Sequence, residues 1–450
     1  MVKRLFGYYN LLSKHRYGVT FAAYIASAFV TGVACVAFMR AFAFADGHRL
    51  DFSSVGWWCL LTTPLLFTLA VFLVRRLAPY AAGSGIPQAI YVVRHGGGRE
   101  LHPIAAAMMS PVTLLVKVVS ILLGVWAGAS VGREGPTVQI GVCTLFMCMA
   151  LLSRFLPVKP DPRSIALAGG SAGLAAAFNT PLAGVTFALE ELSGGYFESF
   201  KDYVIMAIIV AALSAKVITG EYVYFGKLPN PQQLGVAAIV IIGVAGGLAG
   251  RLFSLGIMRG VRAIDWFASK GLRWLFPAAC GLALLGLAFV GGAYVQGPGN
   301  RAAQDYLTAH YAGVPSAFPF AKLLGTVATY WSGVAGGLFA PSLSIGSGLG
   351  AELAKLLDFP VASCALVGMS AFLSAAILAP MTAFVIIFEL TGHHSMLLPI
   401  MLAALIGYIT AKALGARSLY GAMADRYPVP ENTAPASPAF EASSRSGSAG

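Results

Sequence analysis

Charge is what this sequence has least of. Asp, Glu, Lys and Arg together make up 11% of its 450 residues, against roughly 25% in a soluble domain. With 58% of residues apolar, there is too little ionised surface to face water. A disordered chain, a coiled coil and an ordinary cytosolic enzyme are excluded on that ground. Cysteine is sparse too: Cys35, Cys59, Cys143, Cys148, Cys280 and Cys364 all lie in apolar runs, and none makes a CxxC pair. A disulfide framework and a zinc site have no basis here, and the six read as small core residues. Enzyme signatures are missing as well. No HExxH, no GxGD-type aspartate pair and no GxSx helix with a plausible base occurs. The adjacent His393 and His394 lack the further convergent ligands that a metal needs, and read as a loop at a helix end.

What is abundant is glycine, at 52 residues. Glycine is more frequent in membrane helices than in soluble ones, so the composition points to an all-α, polytopic membrane protein. The net charge of +12 falls mostly at and between the ends of apolar stretches. That is the pattern of cytoplasmic loops under the positive-inside rule rather than a nucleic-acid footprint. Residues 1–16 carry Lys3, Arg4, Lys14 and Arg16 and show no cleavage site, so they read as a cytoplasmic segment and not a signal peptide. Spans follow at 17–45 and 55–74, the second ending at Arg75 and Arg76. The link between them holds Asp46, Arg49 and Asp51 and is not basic, which sets it outside and the Arg75–Arg76 turn inside. Further apolar stretches lie at about 105–126, 134–152, 164–178, 181–192, 203–218, 234–258, 272–295, 318–332, 339–356, 360–378, 382–391 and 396–415. Several fall short of the ~20 residues a full crossing needs. Gly and Pro breaks between them suggest helices that stop part-way, which a bilayer tolerates only beside protein or a water-filled cavity. From 427 to 450 the chain is rich in Pro, Ser and Ala and reads as a disordered cytoplasmic tail with no room for a soluble regulatory domain.

Two pairs of segments repeat. Gly132–Gly141 (GREGPTVQIG) and Gly337–Gly346 (GLFAPSLSIG) share G-x-x-x-P-[ST]-[LV]-x-I-G, 205 residues apart. Ser171–Glu190 and Ser370–Glu389 both run Ser-Ala, Pro ten residues after the Ser, then Glu nine after the Pro, 199 residues apart. Matched motifs in the same order argue for duplicated halves. Membrane proteins built that way often place a substrate site where the halves meet, on broken helices.

Three segments share a design of Gly-rich turn, Pro, then apolar helix: Gly83-Ser84-Gly85-Ile86-Pro87, Gly132-Arg133-Glu134-Gly135-Pro136 and Gly336-Gly337-Leu338-Phe339-Ala340-Pro341. Pro favours the first helical turn and Gly the tight backbone before it. Each segment should begin a helix whose free N–H groups and positive dipole end can hold an anion. Glu134 is a carboxylate among these helix starts. Being an anion itself, it can occupy such a site; once protonated, it can leave. Ionisable groups inside membrane spans are functional candidates by default.

GSGIP, GREGP, GGLFAP and a late tyrosine, in that order across residues 17–425, resemble the chloride channel (CLC) family of anion channels and proton-coupled anion exchangers. The resemblance implies an all-helical fold of two inverted repeats, here 17–220 and 221–426, and a homodimer with an anion path in each subunit. It implies that Ser84 and Tyr420 give hydroxyl donors to a central anion, serine going with chloride preference. By the same likeness, Gly85, Ile86 and the backbone of Leu338, Phe339 and Ala340 line that site, and Arg133, Glu134 and Gly135 line an external one. Glu134 falls at the family's external gating glutamate and Glu191 at the internal proton-transfer glutamate of exchangers. The repeat matches Glu190 with Glu389, a structural role, but Glu191 with Leu390. Lys117, seventeen residues before Glu134, also recurs in the family; it raises the pore potential or snorkels. Leu338 stands where isoleucine is common, a change that leaves the backbone donors alone.

The expected function is exchange of chloride for protons across a bacterial inner membrane, with both termini cytoplasmic. No cofactor is implied; chloride is the substrate and protons the partner ion. The competing reading is a passive voltage- or pH-gated chloride channel on the same fold. Fluoride transport fits less well, because that branch alters both the serine motif and the inner glutamate.

Overall fold

The computed structural model describes residues 2–97, 101–157, 159–194, 197–220, 224–226 and 228–428; the tail from 429 onward lies outside them. Among the described residues the regular structure is helical, apart from one antiparallel bridge between Gly132 and Gly337. The principal helices are α1 (Val2–Gly47), α2 (Cys59–Leu77), α3 (Ile86–His95), α4 (Pro111–Trp126), α5 (Glu134–Leu152), α6 (Pro162–Phe178), α7 (Pro181–Phe187), α8 (Phe197–Thr219), α9 (Val236–Ser269), α10 (Leu275–Gly291), α11 (Asn300–Leu307), α12 (Phe318–Ser332), α13 (Phe339–Leu357), α14 (Val361–Ile377), α15 (Pro380–Thr391), α16 (Leu397–Ala413) and α17 (Leu419–Ala424). Among the described residues, six helical segments are long and apolar enough to cross a membrane: Gly18–Gly47, Phe52–Leu77, Glu134–Phe155, Lys201–Thr219, Val236–Gly260 and His394–Ala413. The shorter apolar helices between them include α4, α10, α14 and α15.

Local chemistry explains where the short helices stop. α6 ends on Asn179 and α14 on Leu378, both in the left-handed region with φ of 58° and 61°. In each case Pro follows two residues later, at the first position of the next helix. Leucine there costs roughly 1–2 kcal/mol, so the turn is imposed by the packing of the helices on either side. One apolar stretch is not one helix. The run read as 105–126 breaks into Pro103–Met108 and α4, because Ser110 caps α4 by accepting from Thr113 N at 3.1 Å and Pro111 cannot continue the preceding turn. The span read as 17–45 belongs to a helix that already begins at Val2, and the one read as 234–258 runs on to Ser269.

Contacts between the first eight helices and the next eight are reciprocal. Glu389 at the end of α15 accepts from Leu182 N (3.1 Å) and Ala183 N (2.7 Å) at the start of α7. Glu190, just past α7, accepts from Met381 N (2.9 Å) and Thr382 N (2.7 Å) at the start of α15. Each acid therefore caps the other half's helix, satisfying orphan N–H groups with a charge of the favoured sign. The same exchange holds at the centre: Gly132 N donates to Gly337 O and Gly337 N to Gly132 O, both at 2.8 Å. Pairwise reciprocity of this kind is what a local two-fold relation produces. Glycine seams repeat as well. A Cβ on Gly141 would strike the Gly169 carbonyl where α5 crosses α6, and one on Gly346 would strike the Gly368 carbonyl where α13 crosses α14. Small residues let helix backbones approach closely in a membrane.

Candidate functional site

Three helix starts meet in the buried interior. α3 follows Gly85, whose φ of +103° is open to glycine at little cost. A Cβ there would also crowd Gln139 and the Gly135 carbonyl. α5 starts at Glu134 and α13 at Phe339, joined by the Gly132–Gly337 bridge. Gly336 N donates to Gly83 O at 3.1 Å, tying the α3 approach to the α13 approach. None of the three helices has a side-chain cap at its N-cap residue. Where the three starts touch, their N-cap residues thus supply no side-chain acceptor to the first-turn N–H groups, and uncapped helix N-termini are where an anion is favoured.

The fourth piece is α17. The Tyr420 ring stacks on Phe339, centroids 6.1 Å apart and planes 10° apart. Tyr420 is fully buried and Ser84 is 1% exposed. The two hydroxyls are neighbours, yet among the described residues neither Ser84 Oγ nor Tyr420 Oη has a hydrogen-bond partner. A buried hydroxyl without a partner is costly, and two at one place mark a position built for a third party. Ser84 is also not the cap of α3; Gly85 is.

Glu134 is fully buried. Its Oε1 accepts from Tyr224 Oη at 2.8 Å and lies 4.0 Å from Arg133 Nε. Among the described residues its Oε2 has no hydrogen-bond partner; a Cβ built on Gly132 would meet both that oxygen and Ala340 N at the start of α13, which places the two side by side. The carboxylate thus rests on a helix N-terminus, where an anion is favoured. A Cβ on Gly135 would run into Ser84 Oγ, so glycine there keeps the α3 and α5 starts in contact.

Ser84, Gly85, Ile86, Arg133, Glu134, Gly135, Leu338, Phe339, Ala340 and Tyr420 are accordingly brought together. Glu191 stands apart from the helix starts. It lies in a π-helical turn, Ala188–Leu192, that continues α7; such turns recur at functional sites. The extra residue in that turn sends Glu190 to the α15 cap and Glu191 inward, where its Oε1 accepts from Ser418 Oγ at 3.1 Å. Ser418 caps α17 by accepting from Gly421 N.

Lys117 is fully buried in α4 and does not snorkel. Its Nζ donates to Gly83 O at 2.8 Å, bracing the loop that leads into α3. Sequence reasoning missed its counterpart. Lys322, also fully buried, donates to Val295 O (2.9 Å) and Gly297 O (2.6 Å) in the loop leading into α11. The signal was present, since Lys322 follows Lys117 by the same 205 residues that separate the glycine motifs. Tyr224, Asn300 and Ser418 were also missed.

Residues 66–412 match the family described as voltage gated chloride channel. An H(+)/Cl(-) exchange transporter ClcA of Cronobacter sakazakii is 31% identical over 426 residues, covering 88% of this chain and 87% of the relative. The protein of that name from Citrobacter koseri is 30% identical over 419 residues, covering 88% and 86%. Among solved structures, a slow cyanobacterial Cl-/H+ antiporter superposes with a TM-score of 0.76 at 25% identity, over 92% of this chain and 99% of that one. A CLC-type fluoride/proton antiporter superposes with a TM-score of 0.69 at 22% identity, over 87% and 95%, and shares the fold. The converging helix starts and the family's pattern thus coincide along the membrane part, and the chain belongs to the voltage gated chloride channel family, a family of transporters and not of enzymes.

Proposed function

We propose that this protein exchanges chloride for protons across the membrane, with Glu134 as gate and proton acceptor and Glu191 as the internal proton-transfer residue. The observation that carries the reading is the fully buried Glu134 carboxylate on the α13 start, beside the two unpartnered hydroxyls of Ser84 and Tyr420. Chloride sits between those hydroxyls and the backbone N–H groups of Leu338, Phe339 and Ala340, with Gly85, Ile86, Arg133 and Gly135 lining the path. The ionised Glu134 side chain competes for the same positive helix ends. A proton cancels that attraction and frees the path for chloride, so anion passage and proton uptake are tied through one side chain. Glu191, hydrogen-bonded to the α17 cap, passes protons between Tyr420's surroundings and the cytoplasm. The relatives named H(+)/Cl(-) exchange transporter support this reading.

The same reading sets the chain in a bacterial inner membrane as a homodimer with both termini cytoplasmic, divided into repeats near residue 220. The deciding experiment is a proteoliposome assay that records chloride and pH together. Glu134→Gln abolishes proton movement while chloride flux persists, and Glu191→Gln does the same. Proton pumping undiminished in Glu134→Gln refutes the gate. A wild-type reversal potential that follows chloride alone, with no response to a pH gradient, makes the protein a passive channel instead.

A further inference from the structure

The two halves of the site are built alike, and the likeness reaches a residue that the exchange reading does not use. Lys117 holds Gly83 O on the way into α3, and Lys322 holds Gly297 O on the way into α11. Both helices start from a left-handed glycine: Gly85 with φ +103° and Gly299 with φ +84°. Gln139 lies against Gly85, and Ser344, again 205 residues later, lies against Gly299. On the first side, Ser84 beside α3 meets Tyr420, which follows α16. On the second side, Asn300 opening α11 meets Tyr224, which follows α8. Tyr224 thus follows α8 as Tyr420 follows α16.

The contacts differ in what they hold. Among the described residues Tyr420 Oη has no hydrogen-bond partner. Tyr224 Oη reaches Glu134 Oε1 at 2.8 Å and Asn300 Oδ1 at 3.1 Å. One phenolic proton serves one acceptor fully, and the carboxylate is the stronger. Turning the Asn300 amide, so that its nitrogen faces the phenol, lets Asn300 donate to Tyr224 while Tyr224 donates to Glu134. The ring is buried and fixed by its neighbours: Phe178 at 5.3 Å, Phe225 at 4.9 Å and the Arg133 guanidinium at 5.4 Å from its centroid. A donor held this firmly loses little freedom when the carboxylate docks.

We propose that Tyr224, braced by Asn300, is the positioning residue that latches the Glu134 carboxylate in the anion path. The latch rests on the reading of Glu134 as gate. It favours the ionised, docked carboxylate, because a hydrogen bond to the charged form stabilises that form. Removing the hydroxyl lets Glu134 take its proton at higher pH and leave more readily.

The test is the full-length protein in liposomes, with chloride and proton flux recorded together from acid to neutral pH. Tyr224→Phe keeps the ring and its packing. It raises the pH of half-maximal chloride transport by about one unit, the shift expected from one lost hydrogen bond to a charged group. Asn300→Ala moves it in the same direction by less. In a Glu134→Gln background, Tyr224→Phe leaves the residual pH dependence of chloride flux where Glu134→Gln alone puts it. If Glu134→Gln uncouples protons while Tyr224→Phe keeps the wild-type profile, the latch is wrong and the gate stands. A Tyr224→Phe effect equally large in the Glu134→Gln background marks a merely structural role and also overturns the latch. Proton movement retained in Glu134→Gln overturns the gate and the latch together.

Discussion

Glu190 and Glu191 are adjacent acids whose replacement has opposite consequences. Glu190 accepts from Met381 N (2.9 Å), Thr382 N (2.7 Å) and Thr382 Oγ1 (2.8 Å). In Glu190→Ala these three donors lose their acceptor. A buried donor left unpaired costs ~1–3 kcal/mol, and an acid at a helix N-terminus adds ~0.3–1 kcal/mol. Met381 is 45% exposed, so water or lipid headgroups replace part of what is lost, and the sum falls to about 2 kcal/mol. Glu190→Gln keeps one acceptor oxygen and costs about half as much. Reversible denaturant unfolding in detergent micelles reads the loss as a lower midpoint, and proteoliposome flux reads the proton-to-chloride ratio. The expected result is a destabilised protein with an unchanged ratio, the reverse of Glu191→Gln. Wild-type stability in Glu190→Ala, or an altered ratio at unaltered stability, would refute the capping argument.

Three more outcomes follow from contacts around the site. Gly135→Ala drives a Cβ into Ser84 Oγ and to 3.0 Å from Gly337 Cα; chloride binding measured by calorimetry weakens by roughly tenfold or more, the scale of overpacking at a close helix contact. Ser84→Ala and Tyr420→Phe each remove a hydroxyl that has no protein partner, so each weakens chloride binding by roughly tenfold without lowering the unfolding midpoint measured in chloride-free buffer. Lys322→Met leaves the Val295 and Gly297 carbonyls without their donor and destabilises the fold by about 2–4 kcal/mol on denaturant unfolding; an unchanged midpoint would show that the buried lysine is dispensable.

The helix starts were legible because their causes are local. Pro at the first turn and Gly before it act within four residues, and they give α3, α5 and α13 starts matching the three motifs. The repeat was legible for the same reason, since a fixed offset survives in the string of letters. Lys322 could have been found that way by carrying the 205-residue offset from Lys117. Tyr224 and Asn300 could not. They lie 76 residues apart and meet at Glu134 only through tertiary packing, with no periodicity or spacing to flag a loop tyrosine. The Ser110–Pro111 break was visible in composition, but the apolar run across it hid two helices as one. The sequence match between Glu190 and Glu389 marked both as structural; that each reaches across to the opposite half is a fact of three-dimensional arrangement alone.

That crossing of the two acids bears on how such a chain could have arisen and how it can be divided. A lone half-length polypeptide would hold an acid with nothing to clasp and a helix start with nothing to clasp it. Two identical copies would complete each other at once, so a self-pairing ancestor is a sound starting point for the fused gene. The modern protein should therefore tolerate being cut between its halves provided both fragments are made in the same cell, while either fragment made alone should be degraded.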